Sequence, residues 1–429
     1  MRTVIDNKKI TMNIRINSLL LLAILVGSCL GTSIIDKSKS SLDELRIKNL
    51  IEFFNTNSYQ SDIKTFYSEI DNSGQIVSKK IYNVALSRLI YGLSYASKFD
   101  NSYLNKAKNS VAFQLDKLTA NDSIGNYFIS YYDIETNEFP KTTEVDIWQQ
   151  AYGLCGLSEL YRNDPSDKLL SVIHKFHDDF VSRFHDEING GLYGNYNLKN
   201  GQVAGSKSLQ ALVYPITAYM ENLWLADIPN RSKYEPYLIE NLEIAYKNGW
   251  DDDLGWVNLK FDDEWTPCIN QSKESLCSSV SPGHNFQFAS LLLRTDKWTF
   301  LTPDTQNNYH DLGIKILKRT LKKPIYAAAD LSQGFYSEIN PVTDEVTDYK
   351  KTWWQHCEAL IALSLAEGQF KNELTELSLF YFENFSDVKN GGEYFSLDKN
   401  NEPQVEELKG SIGKSAYHTI EMIRYLRSQ

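Results

Sequence analysis

Basic side chains are in the minority in this 429-residue chain, where 44 lysines and arginines stand against 55 aspartates and glutamates, a formal charge of -11 at pH 7. Nucleic acid is thereby excluded as a partner, because phosphate binding needs a basic face. Long apolar runs are missing as well. A membrane-spanning helix takes about 20 apolar residues, and the run Leu19–Val26 falls far short of that. Cysteine is sparse, with five in the chain. Metal-ligand clusters are scarce too: His174, His177 and Asp178 form the only dense grouping, and on a charged outer helix it reads as solvated surface. No metal and no cofactor is expected. What is present is 42% hydrophobic and 13% aromatic residues, enough to bury a core.

The short apolar run follows Arg15 and precedes Gly27, Ser28 and Cys29, the layout of a secretory signal. Val26, Gly27, Ser28, Cys29 resembles the bacterial lipobox, which implies that Cys29 is lipidated and becomes the mature N-terminus. The basic segment fits better if translation starts at Met12, leaving residues 1–11 as an upstream artefact. Ordinary secretion, with Cys29 in the discarded peptide, is the alternative. The chain then divides into a signal peptide at 1–29, a polar tether at 30–40 and a folded domain at 41–429, held by lipid at the bacterial cell envelope, on the outer membrane or periplasmic face. Export places the other cysteines where disulfides persist. Cys268 and Cys277 bracket INQSKESL in one predicted loop and are expected to pair, whereas Cys155 and Cys357 sit among apolar helix residues as buried thiols.

Gly334–Glu367 is a unit that the chain uses six times. Phe335–Ile339 alternates apolar and polar residues, Pro341–Asp344 supplies a turn, and Glu345–Thr347 resumes the alternation, so the segment reads as a hairpin. From Thr352 the period becomes helical, with an Ala359, Ala362, Ala366 stripe for close packing. The hairpin recurs at Phe66–Asp71, Tyr127–Phe139, Gly191–Val203, Leu254–Trp265 and Gly392–Val405. Periodicity and stop signals predict helices near 41–56, 78–98, 102–119, 143–162, 165–183, 207–228, 233–248, 283–295, 305–321, 352–367, 371–386 and 413–427. Short polar turns join even to odd helices, and every odd-to-even connection carries a hairpin. Six pairs closing into a ring make an all-α (α/α)6 barrel, with the helices after the hairpins inside and their N-termini around a pocket at the hairpin end.

Several residues at that end can carry chemistry. Arg88 projects from a face shared with Ala85 and Gly92, able to hold an oxyanion or to make a structural ion pair. Ser281, Pro282, Gly283, His284 reads as a helix start with Ser281 as N-cap, so the helix dipole would keep His284 neutral, as a general base requires. His418 sits comparably near the start of the last helix, after Lys414. Without any family, each histidine also reads as a capping or packing residue. Trp353 and Trp354 open the tenth helix, where one ring could stack on the apolar face of a sugar and the other pack in the core. Glu358 is a carboxylate in an apolar segment and needs a cation or hydroxyl beside it.

These motifs resemble the N-acylglucosamine 2-epimerase family, which includes cellobiose 2-epimerases and aldose-ketose isomerases, over nearly all of 60–429. Trp353 to Leu360 is similar to the family's W-W-x-Q-A-E-A-L, Pro282 to His284 to P-G-H, Lys414 to His418 to K-x-x-[YF]-H, Ser87 to Tyr91 to A-R-x-x-Y, and Gln150 to Leu157 to Q-A-F-x-L-x-A-L. The resemblance implies that His284 and His418 exchange protons with substrate carbon, that Arg88 lies near the reacting oxygen, and that Trp354 stacks on the sugar. Three departures stand out. Gln287 replaces the glutamate of G-H-x-x-E, His356 replaces a glutamine, and Tyr214–Tyr219 lacks the histidine and glutamate of M-H-L-x-E-A. The expected activity is proton abstraction and return beside an aldose carbonyl of a mono- or oligosaccharide, with Gln287, Lys414, Trp353 and Glu358 completing the binding site. The alternatives are a non-catalytic carbohydrate-binding lipoprotein that keeps the pocket, and a glycoside hydrolase or lyase using Glu358 and Asp146. Nothing in the sequence fixes the oligomeric state.

Overall fold

The computed structural model describes residues 32–268, 279–326, 328 and 330–428. Among them are twelve α-helical elements in six pairs. The first members are α1 (Thr32–Asn57), α3 (Ser102–Lys117), α5 (Asp167–Phe184), α7 (Glu235–Asn248), α9 (Pro303–Thr320) and α11 (Lys371–Asn384). The second members are α2 (Asn83–Ala96), α4 (Ile147–Asn163), α6, α8 (Pro282–Arg294), α10 (Trp353–Leu365) and α12 (Tyr417–Arg427). Helix α6 is composite: Leu209–Pro215 passes through a π-helical turn, Ile216–Met220, into Glu221–Ala226.

Burial separates the two sets. Every residue of α2 is buried, as a helix surrounded on all sides requires. By contrast α5 buries only a stripe, Ile173, Phe176, His177, Phe180, Arg183 and Phe184, whose spacing of three and four marks one face against the core. The second members form the inner ring: α2 packs on α4, α4 on α6, α8 on α10, α10 on α12, and α12 on α2. Between α6 and α8 the ring closes through side chains, Gln210 to His284 and Arg294 to Glu221. This is the expected (α/α)6 barrel. Close approach of inner helices needs small residues, and a side chain at Gly156 of α4 would overlap the Ser87 carbonyl of α2.

The hairpins do more than reverse the chain. Each segment leading into an inner helix pairs with the hairpin of the next unit. Lys80–Tyr82 pairs with Tyr131–Asp133, Glu144–Asp146 with Asn195–Asn197, and Lys351–Thr352 with Ser396–Leu397. Single bridges continue the series, Ser208 with Lys260 and Val280 with Ile339, and Gly410 with Ile70 joins the last unit to the first. The ring is therefore stitched at its hairpin end by short antiparallel pairings. Aspartate or asparagine sets the turns: Asp71, Asp186, Asn340 and Asp398 each accept from the backbone N–H two residues on, at 2.8, 2.9, 2.9 and 2.7 Å.

At the opposite end buried charges tie the inner helices together. Arg294 of α8 reaches Glu221 of α6 at 2.9 Å and Glu421 of α12 at 3.2 Å, and Arg424 of α12 pairs with Glu159 of α4. Glu421 lies one turn beyond His418, so this network fixes the rotation of the helix that carries that histidine.

Two differences from the sequence reading have physical causes. Helix α1 begins at Thr32 rather than 41, since 32–40 holds no glycine or proline to stop it. His177, expected on the solvated surface, is 1% exposed and meets the Tyr219 hydroxyl at 3.1 Å, because α5 turns that face onto α6. Cys29 and Cys277 lie outside the described residues. Among the described residues no helix is long and apolar enough to cross a membrane.

Candidate functional site

Exposure maps the pocket. Within α8 every residue is buried except His284, and within α10 every residue except Trp354. In α6, from Leu209 to Met220, only Gln210 and Tyr214 are not buried. At the start of α4 it is Trp148 and Gln149. Inner helices are otherwise sealed by their neighbours, so these side chains look into open space at the hairpin end.

Ser281 caps α8 as expected, its hydroxyl accepting from the His284 backbone N–H, a device that stabilises a helix by about 1 kcal/mol. The same hydroxyl lies 3.3 Å from His284 Nδ1, and Gln210 Nε2 lies 3.3 Å from His284 Nε2. Burial lowers the His284 pKa to about 4, with Glu358 opposing, so the ring is neutral at physiological pH. Gln355 holds this helix start in place: its Oε1 accepts from Gly283 N–H at 2.9 Å and its Nε2 donates to the Ser337 carbonyl at 3.2 Å.

His418 enters from α12 with a different partner. Its Nδ1 lies 3.2 Å from Glu358 Oε1, an ion pair when the ring is protonated, and both groups are buried. Burial lowers the His418 pKa, and Arg88 pushes the same way, while Glu358 favours the charged ring. Gln287 Nε2 donates to the same Glu358 oxygen at 3.3 Å. The amide at 287 therefore acts on His418 through Glu358, not on His284 one turn away.

The Trp354 ring neighbours both histidines, its centroid 5.2 Å from that of His284 and 6.2 Å from that of His418. Trp353 is the core member of the pair, 4% exposed and packed 4.7 Å from Phe395. Arg88 donates to the Gly413 carbonyl, and its guanidinium lies 3.9 Å over the ring of Tyr152. Its Nε is buried with no partner among the described residues. Lys414 faces away from the opening. Its Nζ donates to the carbonyls of Glu393 and Lys409 at 3.0 and 3.2 Å and lies 4.9 Å from the Trp353 ring, and burial pulls its pKa to about 8. The structure thus brings His284, His418, Glu358, Gln287, Arg88 and Trp354 together and sets Trp353 and Lys414 behind them.

Other candidates find local partners. Asp146 caps α4, accepting from Gln149 N–H at 2.9 Å. His356 is fully buried, donating from Nδ1 to the Thr352 carbonyl at 2.8 Å, accepting at Nε2 from Phe335 N–H at 3.3 Å, and stacking on the Phe335 ring. Those bonds require the neutral ring, and burial lowers its pKa to about 3. His174 turns to Asp227 and Asp178 to Lys233. Among the described residues no group of three or more His, Cys, Asp or Glu is placed to hold a metal ion. The sequence reading missed Gln210, Tyr214, Trp148 and Tyr152. The fourfold spacing of Gln210 and Tyr214 was a signal, since it puts both on one helix face.

The family model of N-acylglucosamine 2-epimerase (GlcNAc 2-epimerase) matches residues 65–422. Among solved structures, a sugar epimerase from a ruminal bacterium is similar with a TM-score of 0.75 at 18% identity, over 89% of this chain and 97% of that one. Cellobiose 2-epimerase from Bacillus thermoamylovorans gives 0.74 at 16% identity, over 90% and 98%. A D-mannose isomerase gives 0.72 at 17% identity, over 91% and 98%. No curated protein matches the chain in sequence. With its family model spanning 65–422, from the first hairpin into the last inner helix, the chain belongs to the N-acylglucosamine 2-epimerase family, among carbohydrate epimerases and isomerases.

Proposed function

We propose that the protein takes the proton from the carbon next to an aldose carbonyl and returns it, either to the other face of that carbon, giving the 2-epimer, or to the carbonyl carbon, giving the ketose. The observation that carries this reading is that His284 and His418 both neighbour the Trp354 ring. A sugar lying on that ring is within reach of both imidazoles. Their surroundings assign the roles. His284, neutral and without a carboxylate partner, takes the proton, while His418, whose charged form Glu358 supports, gives one. As the proton leaves, charge moves to the carbonyl oxygen, and Arg88 stabilises the resulting enediolate. Arg88 supplies its charge from a fixed position, bonded to the Gly413 carbonyl and held over the Tyr152 ring. The names of the similar solved structures, a cellobiose 2-epimerase and a D-mannose isomerase, point the same way. Incubation with a panel of aldoses, ketoses and disaccharides tests the proposal: a new epimer or ketose supports it, and sugar binding without turnover favours the non-catalytic reading.

We also propose that lipid on Cys29 anchors the mature protein to the cell envelope, which Val26–Cys29 supports. Cys29→Ala should release it or stall its processing. Cys268 and Cys277 are proposed to form a disulfide contributing about 2 to 3 kcal/mol through a short closed loop. Peptide mapping without reductant that finds both thiols free would exclude it.

A further inference from the structure

Tyr214 stands where α6 departs from α-helical geometry. Pro215 follows it, a residue without an N–H for the helix ladder whose ring crowds the preceding turn, and the π-helical turn Ile216–Met220 comes next. Position 214 is itself constrained, since the residue before a proline is disfavoured in the α region. Such interruptions concentrate at functional sites. The fold keeps this one inside its inner ring, facing the pocket.

The direction of Tyr214 follows from its neighbours. Gln210, one turn earlier on the same face, meets His284 Nε2 at 3.3 Å. The Tyr214 ring centroid lies 5.8 Å from that of Tyr152, the ring over which the Arg88 guanidinium sits at 3.9 Å. Burial raises the Tyr214 pKa, with Tyr152 and Glu358 adding and Arg88 opposing, so the phenol keeps its proton and feels both charged groups of the site. From Ala211 to Met220 it is the one side chain that is not buried. Its ring is packed, yet no described residue forms a hydrogen bond with its hydroxyl. A phenylalanine would serve the packing equally well, and the hydroxyl is left open to pair with whatever occupies the pocket.

We propose that the Tyr214 hydroxyl donates a hydrogen bond to one hydroxyl of the sugar lying on Trp354, and that it is a specificity-determining residue of this pocket. The inference rests on the sugar epimerase or isomerase reading above. A site built to pair with a substrate hydroxyl discriminates against the analogue that lacks it. Tyr214 should therefore make the protein sensitive to the presence of one particular hydroxyl.

The test is calorimetric binding to the full chain. Wild type is first titrated with a panel of aldoses and disaccharides, and the sugar that binds is then compared with its set of monodeoxy analogues. The same set is titrated into Tyr214→Phe, which removes one oxygen and leaves the ring against Tyr152. The expected result is parent sugar bound about 2- to 10-fold more weakly by the variant, the worth of one neutral hydrogen bond. One deoxy analogue should bind worse than the parent in wild type and equally in Tyr214→Phe. Affinity and deoxy profile identical in the two proteins would overturn the role of Tyr214 while leaving the sugar reading intact. Wild type that binds no sugar in the panel would overturn both.

Discussion

Glu358→Gln removes one charge from the site and almost no volume. Glu358 Oε1 accepts from His418 Nδ1 at 3.2 Å and from Gln287 Nε2 at 3.3 Å, and a glutamine oxygen can accept both bonds. What disappears is the hydrogen-bonded carboxylate that favours the charged His418 ring, aided more weakly by Glu421, against burial and Arg88, which both disfavour it. At 3.2 Å the attraction between unit charges has a ceiling of about 5 kcal/mol with an effective dielectric of about 20. An adjacent carboxylate usually shifts a partner's pKa by about 1 to 3 pH units. The His418 titration should therefore move down by at least about 1 pH unit in Glu358→Gln. Turnover at neutral pH should fall about 10- to 1000-fold as the protonated fraction shrinks, and the alkaline limb of its pH–rate profile should move down with it. Ring-labelled histidine NMR reads the titration, and a pH–rate profile on the accepted sugar reads the consequence. An unmoved His418 titration, or a lowered rate with an unmoved profile, would refute the claim that Glu358 holds the proton on His418.

The neighbouring amide gives a complementary prediction. Gln287→Glu sets a second carboxylate 3.3 Å from Glu358, a repulsion with a ceiling of about 5 kcal/mol, so the melting temperature should drop at pH 7.5 and recover towards pH 5. A melting curve equally depressed at both pH values would point to packing instead. Acid stability offers a third. His177 and His284 are held at about 4 and His356 at about 3, below the unfolded value near 6.5, so the unfolded chain binds more protons and stability falls as pH drops through that range. Each such group forfeits about 2 kcal/mol between pH 6.5 and pH 5, at about 1.4 kcal/mol per unit. Urea unfolding of His356→Gln at pH 7.5 and pH 5 should show a loss smaller than that of wild type by about that amount, and an equal loss would contradict the buried neutral ring.

Helical period carried most of the fold in the sequence. Inner helices such as α10 are rich in apolar residues without a solvated charged face and outer helices such as α5 are striped, and both patterns survive without tertiary information. Turn residues such as Asp186 and Asn340 marked the hairpins, because an Asx turn is a local device. The pairing of each pre-helix segment with the next unit's hairpin was not legible. Strands of two or three residues have no period to read, and their partners lie about 50 residues away, as with Lys80–Tyr82 and Tyr131–Asp133.

At the site, residues announced by helix starts were found: Ser281 and His284 follow from capping, and Trp354 from its place at the head of α10. Roles that depend on where a long side chain bends were not. Lys414 looked like a ligand cation and folds back onto two carbonyls, while Gln287 aims at Glu358 instead of the histidine one turn before it. Tyr214 shared a face with Gln210 by its spacing, but which face looks into the pocket depends on how the helix packs, shown by the contact of Gln210 with His284.

The central claim is that His284 and His418 carry a proton to and from the sugar, and solvent exchange tests it most directly. In heavy water the wild-type protein should wash deuterium into the carbon beside the carbonyl of the sugar it accepts. His284→Ala and His418→Ala should each lose epimerisation or isomerisation by about 10² to 10⁴ in rate, the contribution of a positioned acid or base. Under this proposal, where each imidazole serves one face of the enediolate, a single variant can lose turnover while its remaining histidine still exchanges its own proton. Turnover retained when both histidines are alanine, or no deuterium entering a sugar that the wild type demonstrably binds, would contradict the account.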